Sequence, residues 1–478
     1  MTSNQQATLP ARPRRWTIPA LMASVAVLGG CASFSTDGGF GSVRQAAETQ
    51  TGASLVWARS DAERDESSRR VAELLQREVG VDDAVQIALL NNRGLQAAFF
   101  ELGISEADLV QAGRLPNPGF TFGRLARGDE IEWERGLHLN LARLLAMPLK
   151  KRIEQARFEQ VKLRVTLEML SLASETRKAW YRSVAAEETV RYMHQVQRAA
   201  EASAELARRM EQTGNWNKLM RAREQGFYAD AALNVARAEQ ARTAARERLT
   251  RLMGVWGEQG AFRLPERLPE LPKSVDERPD IERVAMAQRI NLQAAKAETE
   301  ALARNLGLTR TTRFVNVLEL GLRRNSSNQM PTQTGYEIGF ELPLFDWGGA
   351  RVAKAEAIYM QALERAAEAA VNARSEVREA YLGYRTSYDV ARHFRDEIVP
   401  TRNRVAEENL LRYNGMLIGV FELLADARSQ IATVNGAIDA LRDFWIAQSD
   451  MQMAIVGKPA LTPMSGATVS KDAGAAGH

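Results

Sequence analysis

The sequence predicts a mostly α-helical fold with a small antiparallel β part, in which one helix–strand–strand–long helix–long helix unit is written twice. Three observations carry this reading. Short motifs recur at a displacement near 200 residues. Residues 149–213 contain neither Gly nor Pro. Four segments alternate apolar and polar residues with a period of two.

Length and composition set the limits. The 478 residues are 45% apolar and 26% charged, which excludes a disordered chain. A single cysteine excludes an intrachain disulfide and a multi-cysteine metal site. His138, His194, His393 and His478 are scattered without metal-ligand spacing. The formal charge of +4 is partly a property of the N-terminus, where Arg12, Arg14 and Arg15 stand without an acid. The remainder holds 60 basic and 59 acidic groups, so the usual electrostatic footprint of nucleic-acid binding is missing.

The first thirty residues read as a secretory signal. Basic residues precede an apolar stretch from Trp16 to Leu28, too short to span a bilayer as a helix. It ends Leu28-Gly-Gly-Cys31, which resembles a bacterial lipobox. The resemblance implies lipid attachment at Cys31 and, with Ala32 in place of an inner-membrane retention Asp, sorting to the outer membrane. No other apolar run reaches 18 residues, so a membrane crossing by the mature chain would use strands of a closed barrel.

The duplication is read from matched words. Leu95-Gln-Ala-Ala98 recurs as Leu292-Gln-Ala-Ala295, and Arg177-Lys-Ala-Trp180 as Arg378-Glu-Ala-Tyr381. Gly214 matches Gly415, and Gly254 matches Gly457. The expected organisation is a signal peptide at 1–30, a lipid-anchored extended segment at 31–80, a first repeat at 81–256, a Pro-rich linker at 257–277, a second repeat at 278–458 and a disordered tail at 459–478.

Within the first repeat, Asp82 to Gly113 has helical periodicity with two acids at its start, and Leu115-Pro-Asn-Pro118 stops it. Strands follow at Gly119–Leu125 and Ile131–Leu141. The Gly- and Pro-free run 149–213 then predicts a helix of roughly 95 Å at 1.5 Å per residue. A helix so long needs a partner along its length. The partner seam is Leu172, Thr176, Ala179, Ser183, Ala186, Val190 and Met193, at coiled-coil spacing. Its counterpart is Ala373, Val377, Ala380, Tyr384, Ser387, Ala391 and Phe394. Many seam residues are small, which suits helices flanking two neighbours in a wall.

The strands have two faces. Tyr336, Ile338, Phe340 and Leu342 oppose Glu337, Gly339 and Glu341, while Leu318, Leu320 and Leu322 oppose Glu319, Gly321 and Arg323. Leu137, Leu139 and Leu141 oppose His138 and Asn140. A transmembrane barrel strand alternates this way, and so does any half-buried sheet. Four strands cannot close a barrel, so sister chains would be needed to remove the edges. The polar loops Ala126–Glu130 and Arg324–Thr334 are expected on one, outer side.

In these features the chain resembles the TolC-like outer-membrane efflux protein family, in its lipid-anchored branch. The resemblance rests on Asp82-Asp-Ala-Val-Gln-Ile-Ala-Leu-Leu-Asn-Asn92 with Leu95-Gln-Ala-Ala98, on Gln111-Ala-Gly-Arg-Leu-Pro-Asn-Pro118 and on Phe340-Glu-Leu-Pro-Leu-Phe-Asp-Trp-Gly-Gly349. Pro400 ahead of a helix, Tyr413-Asn-Gly415 and Glu422-Leu-Leu-Ala-Asp426 complete it. It implies a homotrimer with a twelve-stranded outer-membrane β-barrel, continued by a periplasmic α-helical barrel. It also implies a periplasmic adaptor (membrane fusion protein), an inner-membrane transporter of the resistance–nodulation–division type, and outer-membrane lipid as surroundings. No cofactor, metal or catalytic residue is expected, because no P-loop, dinucleotide fingerprint or nucleophile–base spacing occurs.

The work of such a chain is conduction and gating. Gly214, Asn215 and Trp216, with Gly415, Met416 and Leu417, form the helix-turn tips that the resemblance turns toward the adaptor. Glu422 and Asp426 are four apart on one helix face, and three chains would set them in an acidic ring at the aperture. Asp426 departs by one residue from the family position, where Ala425 stands. Lys218, Arg221 and Arg223 of the first repeat are expected to pair with the acidic tip. Glu319, Arg323, Glu337 and Glu341 are expected to face the barrel lumen. Two other readings compete: a type I secretion duct for proteins, and a non-conducting structural coiled-coil lipoprotein. A pore lumen needs the polar strand faces; a packed sheet does not.

Overall fold

The segment expected to be extended before the first repeat is largely helical. The structure is a computed structural model describing residues 33–312, 318–341 and 344–461. The signal segment, Cys31, Leu342 and residues 462–478 lie outside the described residues. Helix α1 (Phe40–Thr51) forms because Phe40, Val43 and Ala47 make one buried stripe. Phe40 meets the Phe99 ring edge-on at 4.9 Å. Helix α2 (Asp61–Leu75) starts at a reciprocal cap between Ser60 and Glu63. Neither stripe is long enough to stand out in a window read for long periodic segments.

The helix predicted from Asp82 to Gly113 is two helices, α3 (Val81–Asn91) and α4 (Arg93–Ala112), because Asn92 is extended at ψ 118°. The Asn92 side chain accepts from Leu95 N, capping α4, and donates to Leu252 O at 3.0 Å. Asn91 donates to Gly254 O at 2.7 Å. The break therefore joins the start of the first repeat to its end. Gly254 lies at φ +67°, and a Cβ there would meet Asn91 O at 2.9 Å, so no other residue fits that approach.

Strands β1 (Gly119–Arg127) and β2 (Glu130–Asn140) follow. The long helix α5 runs Leu141–Gln212, starting before the expected point and carrying Pro148 inside it. Pro148 is the eighth residue of the helix, beyond the first turn, and so leaves the carbonyl of Leu144 without its helical donor. Helix α6 (Lys218–Met253) returns, capped by Asn217 through its bond from Met220 N.

The linker is not a free connector. Leu268 and Leu271 are buried. Trp445 Nε1 donates to Pro269 O at 3.0 Å, and the Tyr388 hydroxyl donates to Lys273 O at 3.0 Å. Prolines leave carbonyls that need outside donors, and aromatic side chains of the second repeat supply them.

The second repeat opens with the same break. Helices α7 (Ile281–Gln288) and α8 (Ile290–Thr312) are separated at Arg289, whose ψ is 117°. Arg289 stands where the repeat offset puts Asn92, but the chemistry differs. Its guanidinium is fully buried and donates to Asn291 Oδ1 (3.1 Å), Ala373 O (3.1 Å) and Glu376 (2.6 Å). Strands β3 (Leu318–Ser327) and β4 (Gln333–Phe340) extend well into the expected loop 324–334. Helix α9 (Gly349–His393) leads through a π-helical turn (Phe394–Ile398) into α10 (Val399–Asn414), with Pro400 near its start. Helix α11 (Val420–Val456) completes the chain. Its Gly436 admits the Phe394 ring, whose Cζ would lie 2.9 Å from an added Cβ.

By internal contact the chain forms two units, each drawing on both halves. One holds the described residues up to Gly38 with Gly103–Glu159 and Glu300–Met360, and contains the sheet. The other holds Gly39–Leu102, Gln160–Thr299 and the chain from Gln361 onward. In this helical unit most seam residues are buried: Thr176, Ala179, Ser183, Val190 and Met193 on α5, and Ala373, Val377, Ala380, Tyr384, Ser387 and Ala391 on α9. The middle of α5 is buried beyond the seam as well. Lys178, fully buried, donates to Asp450 at 2.8 Å and Ala460 O at 3.0 Å. Residues 459–461 of the expected tail are thus held by a buried cation that needs acceptors. Burial alone would raise the Glu175 carboxyl, but hydrogen bonds from Lys178 and Arg248 outweigh it and hold the group below the usual range. Among the described residues no helix is long and apolar enough to cross a membrane.

Truncating Arg289 to Ala would leave Glu376 without its partner. A fully buried pair broken this way costs about 3–5 kcal/mol; Glu376 keeps some water, so we expect about 2–3 kcal/mol. The check is hydrogen-exchange protection of the α8 and α9 amides nearest residues 290 and 376, which should fall together.

Candidate functional site

The four strands form one antiparallel sheet in the order β1-β2-β3-β4, with both ends of the order unpaired. The β1–β2 hairpin turns on Gly128 and Asp129, with Arg127 opposite Glu130 and Gly128 at φ +60°. Both hairpin turns lie at the same end of the sheet. Asn328 Nδ2 donates to Asp129 O at 2.8 Å, and Ile131 N donates to Asn328 Oδ1 at 2.8 Å.

Register sorts the side chains. On one face stand Thr121, Glu134, His138, Glu319, Arg323 and Glu337. Six strand glycines, Gly119, Gly123, Gly136, Gly321, Gly335 and Gly339, all share this polar face. Each stands opposite a larger polar side chain, as Gly321 does opposite Glu337 and His138. Small residues on a single face make room when that face is the crowded, inner one of a closed sheet. Arg323 pairs with Glu337 at 2.7 Å. Glu319 is opposite Asn140 and Gly339. Glu341 is exposed but follows the last paired residue of β4, so register does not assign it a face. Sequence reasoning missed Glu130, Glu132 and Glu134, which register puts on the same polar face. The alternation Glu-Ile-Glu-Trp-Glu carries the signal: Glu132 and Glu134 lie inside the expected strand 131–141, and Glu130 stands one residue before it. The described polar face then holds five carboxylates (130, 132, 134, 319, 337) against the guanidiniums of Arg127 and Arg323.

The opposite face is apolar and uncovered. Phe120, Phe122, Leu137, Leu322, Tyr336, Ile338 and Phe340 are all exposed, Tyr336 by 77%. A patch of this size and continuity has no place in water.

The helix turns belong to the other unit. In the first, Gly214 is left-handed at φ +77°, with Gly214 N donating to Glu211 O and Asn215 N to Met210 O, both at 2.9 Å. This closes the α5 terminus with two of its free carbonyls used. Trp216 is half-buried; Gly214 and Asn215 are exposed. The second turn has the same bonds shifted by one residue. Met416 N donates to Tyr413 O at 2.9 Å and Leu417 N to Arg412 O at 2.8 Å. The left-handed residue is therefore Met416 at φ +57°, and Gly415 has an ordinary φ of −80°. Matching glycine to glycine in the sequence misplaces the turn; the structural counterpart of Gly214 is Met416. Met416 is 94% exposed and Leu417 78%.

Glu422, in the first turn of α11, is exposed, and Asp426 is half-buried. Neither has a hydrogen bond or ion pair among the described residues. Among the described residues of the single chain, neither acid pairs with a first-repeat base. Arg221 pairs with Glu211 of its own hairpin at 2.7 Å. The link between the repeats has the opposite polarity: Arg428 of α11 donates to Glu224 of α6 at 2.7 Å, and Ser203 donates to the other Glu224 oxygen at 2.7 Å. Glu224 is fully buried, and Arg428 stacks 4.3 Å from the Phe227 ring centre. Partners this far apart in sequence leave no local signal. Nearby, hydrogen bonds from Arg208 and Arg209 hold the Glu205 carboxyl down at about 2, so it stays charged.

Residues 283–415 match the family described as outer membrane efflux protein. No curated protein sequence matches the chain significantly. Solved structures share its fold. A membrane protein from Pseudomonas aeruginosa is 19% identical with a TM-score of 0.68, over 78% of this chain and 92% of that one. The CmeC outer membrane channel of Campylobacter jejuni is 16% identical with a TM-score of 0.67, over 78% and 85%. The MtrE outer membrane channel of Neisseria gonorrhoeae, in its open state, is 18% identical with a TM-score of 0.66, over 79% and 89%. The resemblance read from the sequence stands, with the matched segment in the second repeat.

Two outcomes follow from the turns. Met416→Gly should stabilise the second hairpin by about 1 kcal/mol, the strain of a left-handed non-Gly residue, read as slower hydrogen exchange at 410–418. Glu224→Ala should do the reverse at 200–206 and 424–430, by about 2–4 kcal/mol, because it strands Arg428 beside an apolar cluster.

Proposed function

We propose that this chain, which carries the outer membrane efflux domain, is the outer-membrane channel subunit of a tripartite efflux pump. Three copies pair β4 of one with β1 of the next and close a twelve-stranded barrel. The barrel passes small molecules or ions passively from periplasm to exterior. The observation that carries the reading is the sheet: open at both edges, acidic and glycine-rich on one face, apolar and uncovered on the other. A lipid-facing exterior and a wet lumen account for all three features together. A structural coiled coil accounts for none of them.

The remaining assignments are parts of the same proposal. Cys31 carries the lipid anchor, which with a barrel fixes the chain in the outer membrane of a Gram-negative cell. The turns at Gly214–Trp216 and Gly415–Leu417 meet a periplasmic adaptor. Exposed Met416 and Leu417 support this, since a strained apolar tip has no stabilising role in the free chain. An inner-membrane transporter of the resistance–nodulation–division type supplies the energy. Glu422 and Asp426, without partners among the described residues, converge from three copies at the aperture and favour cations. The two repeats in three chains make six similar units, suited to a six-membered adaptor ring.

The test is single-channel conductance of the purified full-length protein in planar bilayers, with its oligomer mass measured in parallel. Discrete cation-selective steps from a trimer are expected. A monomer or dimer that binds membranes without conducting overturns the channel. Glu422→Gln should raise conductance and weaken block by divalent cations; unchanged conductance and block would remove Glu422 from the aperture. Glu134→Gln with Glu319→Gln should lower cation preference without altering trimer mass.

A further inference from the structure

The apolar sheet face is not uniformly apolar. Toward the open ends of the hairpins its rows are Leu318 with Phe340, then Leu139, Leu320 and Ile338, then Phe120, Leu137, Leu322 and Tyr336. None of these is charged. The next row is Phe122, Arg135, Arg324 and Thr334, and the one after it begins with Arg124 and Trp133. Three exposed guanidiniums thus lie immediately beyond the apolar band, on the hairpin-turn side.

Their surroundings offer no counter-charge. Arg135 and Arg324 are directly opposite in register, where Cβ atoms stand about 5 Å apart and like charges repel. Arg124 is diagonal to Arg135 and lies 5.7 Å from the Trp133 ring centre, its one contact of this kind. None of the three has an ion pair or hydrogen bond among the described residues. Every strand carboxylate (130, 132, 134, 319, 337) is on the other face. A sister chain pairing at either edge brings the same acid-free face. No strand carboxylate is therefore placed to neutralise these three charges, which leaves them available to an anion from outside the protein.

We propose that Arg124, Arg135 and Arg324 form a binding site for the phosphate groups of phosphorylated lipid headgroups in the leaflet at the hairpin-turn end. The proposal rests on the channel reading, which puts the apolar rows in hydrocarbon. The next rows along the strand then lie at headgroup depth, where charged side chains cost little and phosphate is the available anion. Guanidinium forks bind phosphate oxygens bidentately, and Trp133 and Phe122, 5.4 Å apart, provide the amphipathic ledge typical of that depth. With three copies the site repeats around the barrel as a basic collar outside an acidic lumen.

The experiment uses full-length protein reconstituted in vesicles of phosphatidylcholine with equal parts diphosphoryl lipid A, or with the same lipid A dephosphorylated. Native mass spectrometry counts the lipid A retained per trimer. Diphosphoryl lipid A should be retained and the dephosphorylated form should not. The variant with Arg124→Gln, Arg135→Gln and Arg324→Gln should lose retention by about tenfold or more, and the Arg→Lys triple should keep much of it. If the triple variant does not trimerise, Arg135→Gln and Arg324→Gln singly carry the test, each with a partial loss. Equal retention by wild type and Gln variants overturns the site, as does displacement of the lipid by inorganic phosphate at equal concentration. Conductance of the same preparations in phosphatidylcholine bilayers separates the two readings: conducting trimers with unaltered lipid retention overturn the lipid site alone, and absence of conducting trimers overturns the channel with it.

Discussion

Most of this structure answers to one constraint: a four-stranded sheet with two open edges and an apolar face that nothing in the described chain covers. Unpaired strand edges attract other strands, and bare apolar faces attract anything that excludes water. An isolated soluble chain would have to hide both. Here neither is hidden; the hairpins are instead kept in register, so that the edges are straight templates for an identical neighbour. Helices α4, α5, α8 and α9 each connect to a strand end.

Duplication supplies two copies of each structural problem, and the copies are solved by different chemistry. The break between the opening helices is held in the first repeat by Asn92, reaching carbonyls at the end of α6, and in the second by a buried Arg289 reaching Ala373 O and Glu376. The helix reversal uses Gly214 in one repeat and Met416 in the other. The backbone path is retained in each case and the side-chain solution is not. Divergence of this kind lets the two hairpin tips present different surfaces, one polar around Asn215 and one apolar at Met416 and Leu417, on equivalent backbones.

How much of this was legible in the sequence follows from the range of the interactions. Strand alternation, the long Gly-free helices, the seams and the existence of two turns are set by neighbours within a few residues, and they read correctly. The breaks at Asn92 and Arg289 did not, because each depends on acceptors about 80 to 160 residues away. The anchors of the Pro-rich linker are hidden for the same reason: Tyr388 and Trp445 lie in the second repeat. The long first-repeat helix starts ahead of the Pro-free run because Asn140 caps it, its side chain accepting from Arg143 N. The ion pair of Glu224 and Arg428 was not legible either, since net charge near a turn does not say which side chain is buried.

The register of the sheet connects these levels. Side chains alternate faces with a period of two, so a slip of one residue between β2 and β3 would carry Glu319 and Arg323 to the apolar face and Leu320 and Leu322 to the polar one. The same slip would pull Arg324 away from Arg135 and disperse the basic collar. What opposes it is a small set of polar bonds at the hairpin end: Asn328 to Asp129 and Ile131, and Asn325 to Glu132 at 3.1 Å. None of these groups needs to touch a transported molecule. They act by fixing which face each charged side chain occupies, so under the proposed channel reading the turn residues are as consequential for conduction as the charged side chains of the polar face.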